Sequence, residues 1–267
     1  MTSKRIFLAG AALAACTSLS NAALTGWWQF DDLSDSSGNG HDVTLHGDAT
    51  LGAGFSGGGL VLDGDGDWAD VVSSLDHQFP QGTNFSLTLF FNSGGVASDT
   101  NNGLITKGYA NNPRDPAGYY LIHVTSAGLA EVDSRCCSGD TPRFRTGAIG
   151  PNITDGGWHN VTLTRDYGAG EIRTYIDGGL LHTQVMNATN GGDWDFGVNG
   201  EALTFGDHLN RFTTGSFDDI AIWKDEVLSE ADVALIASGG VGALVPEPST
   251  GVLLALSSLV LIRRRKR

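Results

Sequence analysis

The chain has 267 residues, with 16 Lys and Arg against 30 Asp and Glu and a formal net charge of −14 at pH 7. Seven of the basic residues and one of the acidic residues lie in two terminal segments, so residues 23–245 carry nine basic and 29 acidic side chains. This balance argues against nucleic acid or an anionic membrane surface as a partner, because both select Lys and Arg patches.

The N-terminal segment, residues 1–22, has the pattern of a secretory signal peptide. Two basic residues precede an apolar stretch, and Ser20 and Ala22 supply the small residues of a cleavage site. The segment that ends at Cys16 resembles a bacterial lipobox, so lipid attachment there is the alternative. We favour simple cleavage after Ala22, because the first predicted strand begins at Thr25.

The body that follows has the short apolar and alternating runs of β-strands. Strands are predicted at 25–32, 43–45, 57–63 and 85–91, separated by segments rich in Gly, Asp and Ser. The last of these is apolar enough to be buried on both faces.

The clearest hairpin begins at Trp158. Val161 and Leu163 alternate with polar residues, residues 167–170 turn the chain, and 172–176 alternate again on the return strand. An Asp-Gly pair then predicts a tight turn. Six large apolar residues are assigned to the core: Trp158, Trp223, Phe30, Phe217, Ile220 and Ile222.

One helix is predicted near the end of the body. Ser229 and Asp232 form an S-x-x-D capping box, and residues 231–237 are mostly helix formers. Residues 239–245 are Gly-rich and are predicted to be a flexible linker. Short strands, regular turns and one peripheral helix predict a single all-β domain over residues 23–238, an antiparallel β-sandwich.

The C-terminal segment, residues 246–267, is a second targeting signal. Pro246, Glu247 and Pro248 precede an uncharged, mostly apolar run and a block of basic residues. The run is shorter than the about 20 residues of a permanent membrane span, and its basic end stays in the cytoplasm, which predicts transient membrane insertion. The arrangement resembles the PEP-CTERM sorting signal of Gram-negative bacteria, which implies an exosortase-type sorting protease as partner. An ordinary membrane anchor is the alternative.

Three segments of the body resemble the laminin-G-like, concanavalin A-like lectin/glucanase superfamily. They begin at Gly26 (GWWQFDD), Gly156 (GGWHNVTLTRD) and Leu203 (LTFGDHLNRF), and the last ends in a Gly-x-Phe-Asp-Asp strand and a helical turn. They cover nearly the whole body in the family's order. The resemblance implies a jelly-roll sandwich of two antiparallel sheets, but this fold hosts lectins, hydrolases and structural modules alike.

Catalysis is not expected. Glycosidases of this fold use two glutamates, which the laminarinase-like branch carries on one strand as Glu-x-Asp-x-Glu or with one more residue inserted. Glu131 and Asp133 match the start of that motif, but Arg135 and Cys136 stand where the second glutamate belongs.

A structural calcium ion is the expected cofactor. The Asp63–Asp67 turn lacks the Gly and Glu of an EF-hand loop, so we interpret it as an acidic turn. In the family the first and last strands commonly pair, which would bring Asp31 and Asp32 near Asp218 and Asp219. Alternation along each strand would then point one Asp of each pair inward and one outward. The predicted ligands are therefore Asp31, Asp32, Asp218 and Asp219; their alternative role is to cap turns.

Glycan binding calls for aromatic rings with polar groups nearby. Two loops, at 107–120 and 190–196, combine these residue types. The predicted ligand-binding residues are Tyr109, Asn111, Arg114, Asp115 and Trp194. A disordered surface loop is the alternative.

Cys136 and Cys137 are the cysteines left in the body after signal cleavage. Neighbouring Cα atoms lie about 3.8 Å apart, below the usual disulfide range, so a vicinal disulfide would be strained. Two reduced thiols or an intermolecular bridge are the alternatives.

Together these features predict an exported, surface-sorted, non-catalytic lectin-like module that binds polysaccharide in the cell envelope or extracellular matrix. A structural or adhesive matrix protein without a specific ligand is the second hypothesis. A glycoside hydrolase is the third.

Overall fold

The computed structural model describes residues 23–95, 102–108, 119–135, 143–185 and 200–245. In chain order the strands are β1 (Leu24–Trp28), β2 (Val43–His46), β3 (Thr50–Ala53), β4 (Gly58–Asp63), β5 (Trp68–Val71), β6 (Phe85–Asn92), β7 (Asn102–Lys107), β8 (Tyr119–Val124), β9 (Leu129–Arg135), β10 (Arg143–Arg145), β11 (Ile149–Asn152), β12 (Trp158–Asp166), β13 (Glu171–Ile176), β14 (Gly179–Val185), β15 (Leu203–Phe205) and β16 (Thr214–Lys224).

The strands form two antiparallel sheets. Sheet A has the order β14-β13-β12-β6-β16-β4-β3, and β1 also pairs with β16. Sheet B has the order β10-β9-β8-β7-β15-β5-β2, and β11 also pairs with β9. The prediction of an all-β antiparallel sandwich is confirmed.

The inter-sheet core fills the space between the two sheets. It contains apolar side chains from alternate positions of both, such as Val161 and Leu163 of β12 and Ala69 and Val71 of β5. Burial of these alternating faces is what holds the sheets together. Four residues assigned to the core from the sequence are confirmed as fully buried members: Phe30, Phe217, Ile220 and Ile222.

A second apolar cluster, which we call the helix-side core, lies on the outer face of sheet A. Helix α1 (Glu230–Gly239) covers this face with Val233 and Ile236, which pack with Trp223 of β16. Trp223 is buried as predicted, whereas Trp158 is only half-buried and packs at the margin of this cluster. The predicted capping box is confirmed, since Ser229 and Asp232 exchange hydrogen bonds at the N-terminus of α1.

The residues after α1 differ from the predicted flexible linker. They form a 3-10 helix (Val241–Ala243), and Val241 and Val245 are buried in the helix-side core. The Val241 N–H donates to the Asp219 carboxylate across 2.9 Å, which ties this segment to β16. None of the helices in the described ranges is long and apolar enough to cross a membrane.

Strand β1 is shorter than the sequence predicts. It pairs with β16 from Leu24 to Trp28 and then ends, because Phe30 adopts a left-handed backbone with φ of 52°. A residue in that region cannot continue an extended strand. The turn that follows places the Asp31 carboxylate at the loop between β3 and β4, where it accepts from the Gly58 N–H.

Candidate ligand-binding site

The outer face of sheet B carries polar and aromatic side chains. In β5, Trp68 and Asp70 alternate with the core residues Ala69 and Val71, so they face away from sheet A. Thr204 does the same in β15, between Leu203 and Phe205. Because β5, β15 and β7 are neighbours, their outward side chains form one continuous surface.

A cavity of about 240 Å³ opens on this surface, between the ends of β5, β15 and β7 and the loop after β15. Its volume lies just below the range of about 300–1,000 Å³ that is typical of pockets for drug-sized molecules, so it suits a smaller ligand such as one sugar ring. The side chains that define its chemistry are those of Trp68, Asp70, Glu201, Thr204, Asp207 and His208.

The loop after β15 forms one wall of the cavity, and Gly103 of β7 lets it approach. A Cβ atom at this position would lie 2.6 Å from the Asp207 carbonyl oxygen, so only glycine fits. The Thr213 hydroxyl donates to the Gly103 carbonyl across 2.8 Å, and the Thr106 hydroxyl donates to the Asp207 carbonyl across 2.9 Å. At the tip, Leu209 and Asn210 turn the chain with φ near 60°.

An aromatic row borders the cavity. The rings of His46 and Trp68 stack with centroids 4.6 Å apart, and Phe212 lies 5.8 Å from Trp68 at an angle of 23°. These neighbours fix the orientation of the half-buried indole. A fixed aromatic surface next to polar groups is what a sugar needs, because its C–H face packs on rings while its hydroxyls form hydrogen bonds.

The electrostatics of the cavity are acidic. Asp70, Glu201 and Asp207 supply carboxylates, and Asp70 also lies 3.1 Å from the His46 ring nitrogen. Burial, followed by the charges of His123 and Arg211, lowers the pKa of His208 to about 3, so its ring is neutral at pH 7. Burial also raises the pKa of Asp207 against the effect of nearby backbone N–H groups.

The incomplete glycosidase motif lies on the same face, farther across sheet B. Glu131 of β9 is buried, pairs with Arg145, and has the His123 ring 3.6 Å from its carboxylate. The Glu131 carboxylate is thus held in an ion pair, and residue 135 is Arg rather than Glu. The described residues of this strand supply no second glutamate for the acid pair that glycoside hydrolysis requires.

The four predicted calcium ligands do not lie together: Asp32 is separate from the other three. Asp32 is exposed and caps its own turn, accepting from the backbone N–H and the hydroxyl of Ser34. Asp31 and Asp218 accept from the backbone of Gly58 and Ser56, so they hold the two ends of one short loop. Strand β1 pairs with β16, and Asp31 lies near enough to Asp219 for its charge to act on that carboxyl.

Asp218 and Asp219 are both buried, whereas strict alternation predicted one inward and one outward. The reason is a β-bulge: the register with β6 shifts after Asp218, and Asp219 has φ of 46°. Burial and the neighbouring charge of Asp219 raise the pKa of Asp218 to about 7. Burial, with a contribution from Asp31, raises that of Asp219, which accepts from the Trp27 indole N–H across 2.8 Å.

A different acidic group has oxygens close enough to share a cation. Carboxylate oxygens of Asp48, Asp63 and Asp67 lie within 4.8 Å of one another. Two of these residues come from the Asp63–Asp67 turn, which the sequence identified as an acidic turn. Asp67 is buried and accepts from the backbone of Asp63 and Gly64, so the turn is also held by its own carboxylates.

Several predicted residues lie outside the described residues. They are the ligand-binding set (Tyr109, Asn111, Arg114, Asp115 and Trp194), the cysteine pair (Cys136 and Cys137), and the sorting motif (Pro246, Glu247 and Pro248). The predicted loop at 107–120 includes Gly108, a described residue that lines the cavity. Trp68 and the loop at 207–212 were missed, although the Trp-x-Asp alternation over 68–70 marks an outward-facing aromatic and acidic pair.

The sequence of the chain matches a known protein family. A laminin-G family model, described as the concanavalin A-like lectin/glucanases superfamily, matches residues 63–234. No curated protein matches the chain in sequence.

Several solved structures share the fold. The binding domain of Paraclostridial Mosquitocidal Protein 1 has 15% identity and a TM-score of 0.62, over 81% of this chain and 52% of that one. Domain 4 of AbnA, a GH43 extracellular arabinanase from Geobacillus stearothermophilus, was solved in complex with arabinotriose. It has 20% identity and a TM-score of 0.61, over 80% of this chain and 98% of that one. A structure of botulinum neurotoxin type C, whose cell entry depends on two ganglioside molecules, has 16% identity and a TM-score of 0.59, over 82% and 51%. The chain thus spans only 52% and 51% of the two toxin chains.

Proposed function

The chain belongs to the concanavalin A-like lectin/glucanases superfamily, and we propose that it is a non-catalytic glycan-binding module. The observation that carries the proposal is the cavity on the outer face of sheet B, where Trp68 stands beside carboxylates and hydroxyls. Two relatives in fold support it: the arabinanase domain was solved in complex with arabinotriose, and cell entry of the botulinum neurotoxin depends on two ganglioside molecules. For this chain the glycan would lie across β5 and β15, against the aromatic row.

We propose that the module does not hydrolyse its ligand. Hydrolysis needs one carboxylic acid and one carboxylate on opposite sides of the glycosidic bond. Glu131 is paired with Arg145 and lies in β9, on the far side of β7 and β8 from the cavity strands β5 and β15. Release of reducing sugar from a ligand that binds in the cavity would contradict this part of the proposal.

We also propose that the module works outside the cytoplasm. The basis is that residues 1–22 resemble a signal peptide and residues 246–267 resemble a PEP-CTERM sorting signal, together with the excess of acidic residues in the body. An exosortase-type protease is the proposed sorting partner. Cell fractionation of the expressed full chain, and of a variant with Pro246 and Pro248 replaced by Ala, tests this. Surface or medium localisation that is lost in the variant would support sorting, and cytoplasmic accumulation of the parent would overturn it.

Binding is tested by calorimetric titration of the purified chain with candidate saccharides found on a glycan array. Trp68→Ala should weaken binding by at least about tenfold, since stacked aromatic residues are typical binding hot spots, and Trp68→Phe should restore part of it. Trp158→Ala is the matched control, because this half-buried Trp lies on sheet A. If no saccharide binds, or if Trp68→Ala and Trp158→Ala behave alike, the site is wrong and a structural matrix role is favoured.

Calcium is the proposed structural cofactor, with two candidate sets. One is Asp48, Asp63 and Asp67; the other is Asp31 with Asp218 and Asp219. Thermal unfolding with calcium and with a chelator should show stabilisation by the ion. Asp48→Asn and Asp31→Asn each remove one carboxylate, and the variant that loses the calcium response identifies the set.

A further inference from the structure

Strand β14 is an open edge of sheet A. It pairs with β13 on one side, and none of the strands in the described ranges pairs with its other side. The strands at the ends of the two sheet orders are β14, β3, β10 and β2, and β14 is the longest of them, with seven residues against four, three and four. A long open edge offers a row of backbone N–H and C=O groups to another strand, and natural proteins usually keep such edges short or charged.

The sequence of β14 does not protect this edge. Its residues, GLLHTQV, include no Lys, Arg, Asp, Glu or Pro. Leu180, Leu181 and Val185 are 42% to 53% exposed, and they make up three of the seven large apolar residues that are exposed in the described ranges. The register with β13 shifts at Leu181, but residues 182–185 pair regularly with that strand. The second half of β14 therefore presents a regular edge with apolar side chains on it.

The order of residues in β14 suits a second copy of the same strand. Antiparallel pairing about a two-fold axis at Thr183 places Leu181 opposite Val185 of the second copy, His182 opposite Gln184, and Thr183 opposite itself. Apolar side chains then meet apolar ones and polar side chains meet polar ones, and such cross-strand pairs stabilise a sheet. Because the axis is two-fold, each of the unlike pairs forms twice.

Charge also favours this edge as the contact between two copies. Residues 23–245 carry nine basic and 29 acidic side chains, so two copies repel one another across much of their surface. On the adjacent strand β13, Arg173 pairs with Glu171 across 2.8 Å and offsets its charge. Two acidic domains can therefore approach at β14 without bringing unpaired carboxylates of this edge together.

We propose that two copies of the chain associate through β14, so that their A sheets join into one antiparallel sheet across a two-fold axis. The inference goes beyond the proposed glycan binding and does not depend on it. The cavity lies on sheet B, and none of its lining residues belongs to β14, so both cavities of the pair stay open. Such a pair could hold one polysaccharide at two points, which raises the apparent affinity without any new contact.

The test is sedimentation velocity of the full chain at about 1 to 100 µM protein, where a dimer with a micromolar Kd would form progressively. A mild detergent keeps the apolar terminal segments from driving association. Thr183→Glu places two carboxylates opposite each other across the axis, and it should raise the Kd of the dimer at least about tenfold. Within one chain the new carboxylate lies beside Arg173, its cross-strand neighbour in β13, so the fold should be retained.

Thr50→Glu is the matched control. It makes the same substitution at an exposed residue of β3, the strand at the other end of sheet A, and should leave the Kd of the dimer unchanged. A second measurement uses Thr183→Cys. Directly opposite residues of an antiparallel pair have Cα atoms about 4.5–5.5 Å apart, within the disulfide range of about 4.4–6.8 Å. Mild oxidation should therefore link two Thr183→Cys chains covalently, and should not link Thr50→Cys chains.

Each outcome decides the proposal. A chain that stays monomeric at every concentration, with no more cross-linking in Thr183→Cys than the native cysteines give in the parent, overturns it. A dimer that Thr183→Glu and Thr50→Glu weaken equally overturns the assignment to β14. Glycan binding is judged separately, because a short saccharide that occupies one cavity should bind Thr183→Glu and the parent with equal affinity.

Discussion

The two outer faces of the sandwich differ although the strands beneath them are alike. Sheet A is covered by α1 and residues 240–245, so its outward side chains, such as Trp223 and Tyr175, form a second core. Sheet B has no helix on it in the described ranges, and its outward side chains are Trp68, Asp70 and other polar groups around a cavity. The same alternation of side chains thus builds a second core on the covered face and leaves an open aromatic and polar surface on the other.

The largest expected effect comes from the covered face. Trp223→Ala should lower the free energy of unfolding by about 3–5 kcal/mol, because a large buried aromatic leaves a cavity under α1. Trp68→Ala, on the open face, should cost less than half as much. Urea unfolding of both variants checks this, and equal losses would mean that the aromatic row of sheet B is structural.

The next effect comes from Asp219, which ties residues 240–245 to sheet A. Asp219→Ala should lower the free energy of unfolding by about 2–6 kcal/mol, because it leaves two buried donors without an acceptor and each costs about 1–3 kcal/mol. The two donors are the Trp27 indole and the Val241 amide. Asp219→Asn keeps one acceptor and tolerates the positive φ, so it should cost less. Unfolding is to be measured in chelator, so that loss of a bound ion does not contribute.

Two neutral histidines make stability fall toward acid pH. Burial lowers the pKa of both His77 and His208 to about 3, from 6.5. Between pH 6.5 and about 3 these histidines take up protons in the unfolded chain but not in the folded protein. Their contribution to the free energy of unfolding is therefore fully present above pH 6.5 and is lost as the pH falls, by about 1 kcal/mol per pH unit for each histidine.

Replacing each histidine separates its contribution to the pH dependence of stability from the contributions of other titratable groups. Asp218, with its raised pKa, contributes a slope of opposite sign from about pH 4 to 7. The difference between the parent and His208→Gln or His77→Gln, followed by urea unfolding from pH 7 to pH 5, cancels that contribution. A variant whose slope equals that of the parent would show that its histidine titrates normally in the fold.

The smallest expected effect is at the start of α1. Ser229→Ala removes the hydroxyl of the capping box and should cost about 1 kcal/mol. Glycan affinity should stay unchanged, since α1 and the cavity lie on opposite faces. A change in affinity would mean that the two faces are coupled through the inter-sheet core and do not act independently.

The sandwich could be predicted because alternation is a local signal. Val161 and Leu163 alternate with polar residues within one strand, and the hairpin of β12 and β13 follows at once. The short strand β5 was missed because Asp and Gly before it suggest only a turn. Its four residues nevertheless alternate between outward Trp68 and Asp70 and the buried Ala69 and Val71.

The features that escaped prediction depend on tertiary contacts. Residues 239–245 look flexible from their glycines, yet Val241 is held by a carboxylate 22 positions earlier in the chain. The bulge at Asp218 and Asp219 likewise leaves no pattern in the sequence, because both faces of β16 are buried. The cavity joins three strands that are distant in sequence and the loop after the last of them, so residue types alone could suggest its chemistry but not its place.

The carboxylate of Asp219 has a consequence for how the domain can be connected to other chains. It binds Trp27 near the beginning of the body and Val241 near its end, and Leu24 and Val245 pack in the same apolar cluster. The two ends of the domain, at residues 23 and 245, therefore lie close together. A circular permutant that joins them through a short glycine linker, with new termini in the 167–170 turn, should fold. Such a domain could be inserted into a surface loop of a host protein without spreading that loop apart.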